Sequence, residues 1–437
     1  MAKGETFHDP HLPSAPIRRL VTPLARFLRV ESASGVVLLV CTAAALALAN
    51  SPAAGWWEHL WHTHVSLELG AFRLAGGLGH FVVNDVLMTV FFFVVGLEIK
   101  RELVAGELRD PRKAALPVAA ALGGMLVPAL IYFTLRRGEP DERGWGIPMA
   151  TDIAFVVGVM ALLGKRVPVG LKVMLLSLAI ADDIGAVVVI AVFYSSGLSG
   201  AMLAAAAAGV AAVVVLRRLG VRSVGVYTAV GVLVWLAMQR SGAHPTIAGV
   251  VFGLLTPAAA WVSEEALRKS VATLHARLDD ADVHPDGPEL ESMSFAAKES
   301  VSPLERLERH LHPWVGFVIM PLFALANAGV VVQPAALLSP VALAVAAGLF
   351  VGKPVGVLLF SWLAVRCGLA RLPTGVTWPV VLGGGFLAGI GFTMSLFVAG
   401  LALDGDLLAA GKIGTLCGSV ASAAVGAVVL VITLRKA

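Results

Sequence analysis

The sequence predicts an all-α integral membrane protein with twelve transmembrane helices. Apolar residues make up 58% of the 437-residue chain and charged residues only 14%, whereas a typical soluble domain has about 25% charged residues. The mean hydropathy is +0.85, and apolar runs long enough to cross a bilayer recur along the whole chain. The 46 glycines and 23 prolines are scattered through these runs, as packed and broken membrane helices allow.

The positions of the basic residues predict the orientation in the membrane. The apolar runs mark spans at 33–50, 80–99, 114–135, 145–164, 169–195, 200–216, 222–239, 244–256, 314–332, 340–365, 377–402 and 407–434. An even number of spans puts both termini on one side. With the N-terminus inside, the inner segments carry 26 lysines and arginines and the outer segments carry 6. By the positive-inside rule, both termini are cytoplasmic.

Three polar segments frame these spans. Residues 1–30 form a basic cytoplasmic N-terminal segment, and residues 31–434 form one twelve-span domain. Residues 63–75 alternate polar and apolar side chains around a glycine, which predicts a small hairpin on the outer side. Residues 257–312 form a long cytoplasmic loop with a mobile centre. Its last part is predicted to start a helix, with Ser302 as N-cap and Pro303 in the first position.

Three carboxylates lie near the middle of predicted spans: Asp152, Asp182 and Asp183. A charged side chain at the centre of a membrane helix costs about 2.5–3.5 kcal/mol, so the three together oppose insertion by roughly 8–10 kcal/mol unless they are paired, protonated or hydrated. The alternative is that these acids are hydrogen-bonded into the packing. A buried site for cations or protons explains three buried acids better than this alternative does.

Asp182 and Asp183 are neighbours, so their side chains point about 100° apart on a helix. They cannot both face one spot. We therefore expect that one faces a water-filled funnel while the other pairs elsewhere.

Two spans carry signals of a broken helix. Asp152 follows Thr151 and lies four residues after Pro148, which removes a helical hydrogen bond. A carboxylate beside such a break can offset the positive ends of half-helices. The stretch 383–400 is apolar but rich in glycine, so it is also predicted to be unwound. Spans three to five and ten to twelve are thus predicted to be inverted repeats with broken middle helices that cross, an architecture known in transporters.

Lys353 lies in the middle of a span, directly before Pro354. A buried lysine needs an acid partner or loses its proton, and the three buried acids are the natural partners. Glu98 and Glu102 end the second span at the inner face, where the simplest alternative is a solvated helix end. His244 begins the span 244–256, a position typical of a hydrogen-bonded interfacial histidine.

Several motifs resemble the NhaA family of bacterial sodium/proton antiporters across roughly residues 25–434. They are NDVLMTVFFFVVGLEIKREL, GGMLVPAL, GWGIPMATDIAFVVGVMALLG, LAIADDIGAVVVIAVFY, SGAHPTIAGV, LHPWVGFVIMPLFALANAGV and GKPVGVLLF. The resemblance implies electrogenic export of sodium or lithium in exchange for protons by alternating access in the inner membrane. The bilayer and these ions are the expected partners. We expect no enzymatic activity, no cofactor and no nucleic-acid partner.

The resemblance also implies roles for individual residues. Asp183 is the principal ligand of the transported cation, and Asp182 shares the ion site and pairs with Lys353. Thr151 and Asp152 fall where the broken helix meets its opposite number at 388–395, with Asp152 and Lys353 balancing helix-end charges. Residues linked to pH regulation are Glu98, Glu102, His244, Glu308 and His312, and Asp85 matches an acid near the start of the second span.

Two departures from the family pattern bear on the pH response: Arg309 replaces a histidine of some relatives, and the loop 262–302 is longer than usual. Two rival functions also bury acids in membrane spans. An intramembrane aspartyl protease would pair Y-D with G-x-G-D in separate spans, but GIGF lacks the acid here. A cation channel would line an open path with the same carboxylates, whereas broken-helix symmetry favours alternating access. The outer hairpin 63–75 could join two copies into a homodimer by edge pairing.

Overall fold

The structure is a computed structural model that describes residues 31–69, 72–195, 197–221, 223–278 and 287–434. The basic N-terminal segment 1–30 and the predicted mobile centre of the polar loop, at 279–286, lie outside the described residues. In the rest of the chain the architecture is helical apart from one small hairpin. This agrees with the predicted all-α fold class.

The first elements lead from one membrane face to the hairpin. Helix α1 (Glu31–Ala49) is followed by α2 (Ala54–His62), and their axes differ in direction by 114°. Strands β1 (His64–Leu69) and β2 (Phe72–Gly77) then pair antiparallel, with His64 opposite Gly77 and Leu69 opposite Phe72. The hairpin thus extends two residues beyond the predicted end at 75.

Seven further helices complete the first half of the chain. They are α3 (Leu78–Ala105), α4 (Pro111–Arg136), α5 (Ile153–Leu163), α6 (Val169–Phe193), α7 (Gly200–Arg218), α8 (Val224–Ser241) and α9 (Thr246–Leu255). The first ten residues of α3, Leu78–Leu87, have π-helical hydrogen bonds, and the 3₁₀-helix Glu142–Met149 precedes α5.

The polar loop 257–312 is largely helical where the structure describes it, because it contains α10 (Glu264–Leu278) and α11 (Gly287–Glu299). The remaining helices are α12 (Pro303–Trp314), α13 (Met320–Asn327), α14 (Pro334–Leu337), α15 (Pro340–Ala347), α16 (Lys353–Arg366), α17 (Trp378–Ala388), α18 (Phe392–Ala402) and α19 (Gly405–Leu434). Ser302 caps α12, since its hydroxyl oxygen accepts a hydrogen bond from the Glu305 backbone N–H at 3.2 Å. The π-helical segments Val315–Ile319 and Gly348–Gly352 join α12 to α13 and α15 to α16.

Among the described residues, eight helices are long and apolar enough to cross a membrane, and two bent pairs raise that number to ten. The bent pairs are α1 with α2 and α17 with α18, and the second pair bends by 48°. Helix α9 is apolar but only 10 residues long. The chain is therefore a multi-pass membrane protein.

Both spans predicted to be broken are interrupted in the structure. Residues 150–152 are not helical and separate the 3₁₀-helix Glu142–Met149 from α5. In the other span, residues 389–391 separate α17 from α18. The two interruptions touch, since the Asp152 N–H donates a hydrogen bond of 2.7 Å to the Ile390 carbonyl oxygen.

Two pairs of helices approach so closely that only glycine fits between them. A β carbon built on Gly123 of α4 would lie 2.1 Å from the Gly356 carbonyl oxygen of α16, and one built on Gly356 would lie 2.0 Å from the Gly123 oxygen. Between α3 and α9, a β carbon on Gly96 would lie 2.6 Å from the Val250 oxygen. Small residues let membrane helices pack backbone against backbone, and here they join α4 to α16 and α3 to α9.

Candidate functional site

The candidate site lies where the two interrupted spans meet, and Asp152 links them. Asp152 is the N-cap of α5 in an extended conformation, and its Oδ1 accepts a hydrogen bond from the Phe155 N–H at 3.4 Å. Its Oδ2 accepts hydrogen bonds from the N–H of Thr393, at 3.1 Å, and from the Thr393 hydroxyl. A carboxylate is favourable at the positive N-terminus of a helix. Asp152 supplies that charge to α5 and α18 at once.

The carbonyl ends of the interrupted spans have their own partners. The Thr151 hydroxyl lies 2.9 Å from the Ala388 carbonyl oxygen at the end of α17. The Lys353 ammonium donates a hydrogen bond to the Met149 carbonyl oxygen. Lys353 thus satisfies one backbone oxygen that the interruption deprives of a helical partner, and the Thr151 hydroxyl lies within hydrogen-bond distance of the other.

Lys353 also forms a buried ion pair with Asp182. Its Nζ lies 2.7 Å from Asp182 Oδ2, and the two side chains are 0% and 1% exposed. The Thr151 hydroxyl lies 2.7 Å from the same Oδ2, so one carboxylate oxygen contacts both a cation and a hydroxyl. The other oxygen, Asp182 Oδ1, is buried and has no hydrogen-bond partner among the described residues.

Asp183 differs from Asp182 in its hydrogen bonding. It is buried on α6, and no described residue donates a hydrogen bond to its carboxylate. Among the described residues, the charged groups that act on Asp183 are the acids Asp182, Glu98 and Asp152 and the base Lys353. A carboxylate without donors in an acidic surrounding offers oxygen ligands to a hard cation or a proton. Of the two neighbouring acids, Asp182 is the one that pairs with another side chain, and the water-filled funnel at the other acid stays a prediction.

A second group of charged residues lies where the C-terminal part of α3 meets α12. His312 Nδ1 lies 3.6 Å from Glu98 Oε1, and Arg101 pairs with Glu308. Burial raises the pKa of the Glu308 carboxyl above its ordinary value. Glu98 acts in the same direction, while Arg101 and His312 oppose it. The structure therefore brings three of the residues expected to sense pH, Glu98, Glu308 and His312, into one cluster.

The other two residues expected to sense pH lie apart from this cluster. Glu102 accepts hydrogen bonds from the Glu107 N–H at 2.8 Å and from the Ser177 hydroxyl of α6 at 3.1 Å. His244 lies just before α9, where its Nδ1 is 2.7 Å from Thr246 Oγ1 and its ring packs edge-on against Phe397. Glu102 thus contacts the helix of the acid pair, and His244 contacts α18.

Sequence reasoning missed Ser419 of α19. Its hydroxyl oxygen accepts hydrogen bonds from the backbone N–H groups of Gly391, at 3.2 Å, and Phe392, at 3.1 Å. A signal was present, because Thr415, Ser419 and Ser422 follow one another at spacings of four and three residues. Such residues share one face of a helix, and three hydroxyls on one face of a membrane helix indicate a polar contact with another helix.

The chain matches known proteins over nearly its whole length. The family described as Na+/H+ antiporter 1 matches residues 25–430. The Na(+)/H(+) antiporter NhaA of Rhodopirellula baltica is 51% identical over 434 residues, which cover 97% of each chain. The Na(+)/H(+) antiporter NhaA 2 of Acidiphilium cryptum is 49% identical over 423 residues, covering 96% of this chain and 94% of the relative. NhaA 2 of Sorangium cellulosum is 52% identical over 439 residues, covering 97% and 93%.

These matches confirm the resemblance that the motifs indicated. The family consists of transporters, which argues against the intramembrane protease, and antiport argues against the open channel. The chain therefore belongs to the Na+/H+ antiporter 1 family and is a multi-pass membrane protein that exchanges sodium ions for protons.

Proposed function

We propose that Asp183 is the principal ligand of the transported cation and that Asp182 joins it when the cation enters. The observation that carries this proposal is the contrast between the two acids. Asp182 is held by Lys353 and Thr151, whereas no described residue donates a hydrogen bond to Asp183. Sodium and lithium are hard cations that prefer oxygen ligands, and we propose both as substrates.

Competition between the cation and protons at this site explains the coupling. A cation that binds Asp183 replaces the proton on that carboxyl. Asp182 then leaves Lys353 and turns toward the cation as a second ligand. A buried ammonium without its acid partner is strongly disfavoured, so Lys353 releases a proton as well. One Na+ then enters as two protons leave, and the cycle moves net charge across the membrane. No separate proton site is needed if only a loaded site changes its exposure from one side to the other.

The assay for this proposal is the dissipation of an imposed proton gradient by added sodium or lithium in everted vesicles. We expect Asp183→Asn to abolish the response while the protein remains inserted at the normal level. Asp404→Asn is the matched control, because Asp404 is an exposed acid just before α19. Near-normal exchange by Asp183→Asn at saturating sodium would contradict the site assignment.

We propose twelve spans, with both termini in the cytoplasm and the protein in the inner membrane. Twelve follows from the ten candidates if α9 and the helix through α12 and α13 also cross. The excess of basic residues on one side supports the orientation. The two interrupted spans support inverted repeats of spans three to five and ten to twelve, with middle helices that cross. Reporter domains fused to each terminus test the topology, since both should report the cytoplasm.

We propose that pH regulates the exchange through Glu98, Glu102, Glu308, His312 and His244. The pairs Glu98–His312 and Arg101–Glu308 support this, because they join α3 to α12 through acidic and basic side chains. Helix α3 also contacts α6 through Glu102 and Ser177. A change of charge at the cluster can therefore reach the helix that carries the acid pair.

We propose a homodimer joined through the outer hairpin. The support is the two-stranded sheet, in which each strand pairs with the other along one edge only, and an open edge is a template for pairing with another chain. Removal of residues 64–77 should convert a dimer to a monomer in detergent, as measured by light scattering during size-exclusion chromatography. A dimer that survives the deletion would contradict the proposal.

A further inference from the structure

The start of α18 is held from two sides by side chains of other elements. The first backbone N–H groups of a helix have no partners within the helix. Here the N–H groups of Gly391 and Phe392 donate to Ser419 Oγ of α19, and the N–H of Thr393 donates to Asp152. Asp152 belongs to the other interrupted span. The N-terminus of α18 is therefore shared between α19 and the crossing point.

Ser419 uses its hydroxyl oxygen as an acceptor, which is unusual for a serine inside a helix. Buried serines and threonines in helices commonly donate to the carbonyl four residues earlier, as Thr42 does to Leu38 at 2.7 Å and Thr433 does to Val429 at 2.8 Å. The hydroxyl oxygen of Ser419 instead accepts two bonds from another helix. Ser419 is 4% exposed, so bulk water does not replace these bonds easily.

The surroundings of the interruption leave little free space. A β carbon on Gly391 would lie 2.2 Å from Ser395 Oγ and 3.0 Å from the Ala150 oxygen. A β carbon on Gly389 would lie 2.5 Å from the Leu349 oxygen. The position of the interruption is thus set by close backbone contacts, and the hydrogen bonds from Gly391 and Phe392 fix it against α19.

We propose that Ser419 is a positioning residue for sodium/proton exchange, which holds the start of α18 so that Thr393 reaches Asp152. The inference rests on the proposed exchange at the crossing of the two interrupted spans. Ser419 does not contact the cation ligands; it acts through the backbone of residues 391 and 392. Loss of its oxygen leaves two buried N–H groups without an acceptor and releases α18 from α19 at the point where Asp152 binds.

The same face of α19 supplies two matched controls. Thr415 Oγ1 is buried and has no hydrogen-bond partner among the described residues. Ser422 Oγ makes only a long contact of 3.4 Å, to the Leu349 carbonyl oxygen. Thr415→Val and Ser422→Ala therefore remove buried hydroxyls from the same helix without removing the acceptor for α18.

The first experiment measures backbone hydrogen exchange of the peptide that covers residues 389–395 in the full-length protein in detergent. We expect Ser419→Ala to raise exchange in this peptide, and Ser419→Cys to do the same, since sulfur is a poor acceptor but fills the space of the oxygen. Thr415→Val and Ser422→Ala should match the unmodified protein. Unchanged exchange in Ser419→Ala, or restored protection in Ser419→Cys, would overturn the inference.

The second experiment measures the maximal exchange rate and the KM for sodium in proteoliposomes, per folded protein. We expect Ser419→Ala and Ser419→Cys to lower the maximal rate about tenfold, which corresponds to about 1.4 kcal/mol at 25 °C. The KM for sodium should stay within about twofold, because the ligands are untouched. A lower melting temperature with an unchanged maximal rate would show a structural role only and would overturn the inference.

The Asp183→Asn transport assay and the hydrogen-exchange experiment together separate this inference from the proposed function. If Asp183→Asn exchanges sodium normally, the site assignment fails, while the hydrogen-exchange result still decides the role of Ser419. If Asp183→Asn is inactive and the residue 389–395 peptide is equally protected in all variants, the site assignment stands and the role of Ser419 fails.

Discussion

Lys353 Nζ lies 2.7 Å from Asp182 Oδ2, 171 residues earlier in the chain, and both side chains are almost completely buried. A buried ion pair offsets the loss of hydration of each charge only while both partners are present. The ion pair is therefore stable in a closed site and breaks when a competing cation binds Asp182. Exchange at a single site requires an ion pair that a cation can displace in this way.

The first prediction concerns the interaction between these two residues. Lys353→Ala and Asp182→Asn should each destabilise the protein by about 3–5 kcal/mol, because each leaves an unpaired buried charge. The double variant Asp182→Asn/Lys353→Gln should recover most of that loss. The measurement is the melting temperature in detergent of both single variants and the double variant.

The double variant also tests the coupling of charge to transport. It should exchange sodium for protons with reduced or absent movement of net charge, since the proton carried by Lys353 is gone. Purely additive losses of melting temperature in the cycle would show that the two side chains do not interact. Asp152 would then become the preferred partner of Lys353.

The second prediction concerns the Thr151 hydroxyl, which has one proton and two acceptors. It lies 2.7 Å from Asp182 Oδ2 and 2.9 Å from the Ala388 carbonyl oxygen. Thr151→Val keeps the shape and removes the hydroxyl, so it should cost about 1–3 kcal/mol of stability and lower the exchange rate. Thr151→Ser should retain the stability and the exchange rate of the unmodified protein. Equal behaviour of the valine and serine variants in proteoliposome exchange and in thermal melting would show that the hydroxyl is not involved.

The third prediction concerns the cluster of Glu98, Arg101, Glu308 and His312 between α3 and α12. Because burial raises the pKa of Glu308, this carboxyl ionises at higher pH than a free glutamate does. The protonated, neutral form of Glu308 stabilises the folded state, and this contribution is present at low pH and is lost as the pH rises through the raised pKa. Above that pKa the ionised Glu308 pairs fully with Arg101 and is repelled by Glu98. Glu308→Gln and Glu98→Gln should therefore shift the pH profile of exchange.

Glu305→Gln is the control for this prediction, because Glu305 lies on the same helix and is exposed. It should leave the pH profile unchanged. The measurement is sodium- and lithium-driven proton movement in everted vesicles over a range of pH. A changed preference between sodium and lithium, with the pH profile fixed, would mean that Glu98 and Glu308 contribute to the ion site itself.

The fourth prediction concerns Asp141, which lies between α4 and the 3₁₀-helix that leads to α5. Arg136 donates two hydrogen bonds of 2.7 Å to its carboxylate, and the Tyr132 hydroxyl lies 3.1 Å from it. Burial alone would raise the pKa of Asp141, but the bonds from Arg136 and Tyr132 lower it below its ordinary value. Asp141→Asn should therefore destabilise the protein by about 2–3 kcal/mol at neutral pH.

The sign of the pH dependence follows from the lowered pKa of Asp141. The ionised form contributes stability above the unfolded-state pKa of about 4, and that contribution is lost as the pH falls through the folded-state pKa. The difference in melting temperature between the unmodified protein and Asp141→Asn should be constant from pH 6 to pH 8 and shrink below about pH 4. Glu139→Gln removes an exposed partner of Arg136 and should cost less than about 1 kcal/mol.

Features that depend on the local sequence were predictable for this chain. The apolar runs locate the long helices, and Pro148 with the glycines of 383–400 marks both interruptions, because the cause of each is local. The position of Lys353 in a span limits its possible partners to the three buried acids, because a buried charge needs a partner of opposite sign. The choice of Asp182 came from the family resemblance, because electrostatics alone does not select among three carboxylates.

Features that depend on which segments meet in space were not predictable from residue patterns. The spacing of Thr415, Ser419 and Ser422 indicates a polar helix face, but it does not identify the partner of Ser419, which depends on α19 lying beside the start of α18. The loop 257–312 is predicted as a long polar loop with a helix only at its end, yet α10 and α11 also form within its described part. The hydrogen bonds to the carbonyl oxygens of Met149 and Ala388 were not predictable either, because they use backbone oxygens, which every residue has.

The contact between Gly123 and Gly356 limits how this transporter can move. Main chain touches main chain there, so no side-chain rotamer can relieve a shift of one helix against the other, and we expect α4 and α16 to move as one rigid body. Lys353 stands one turn before Gly356 and is carried along with that body.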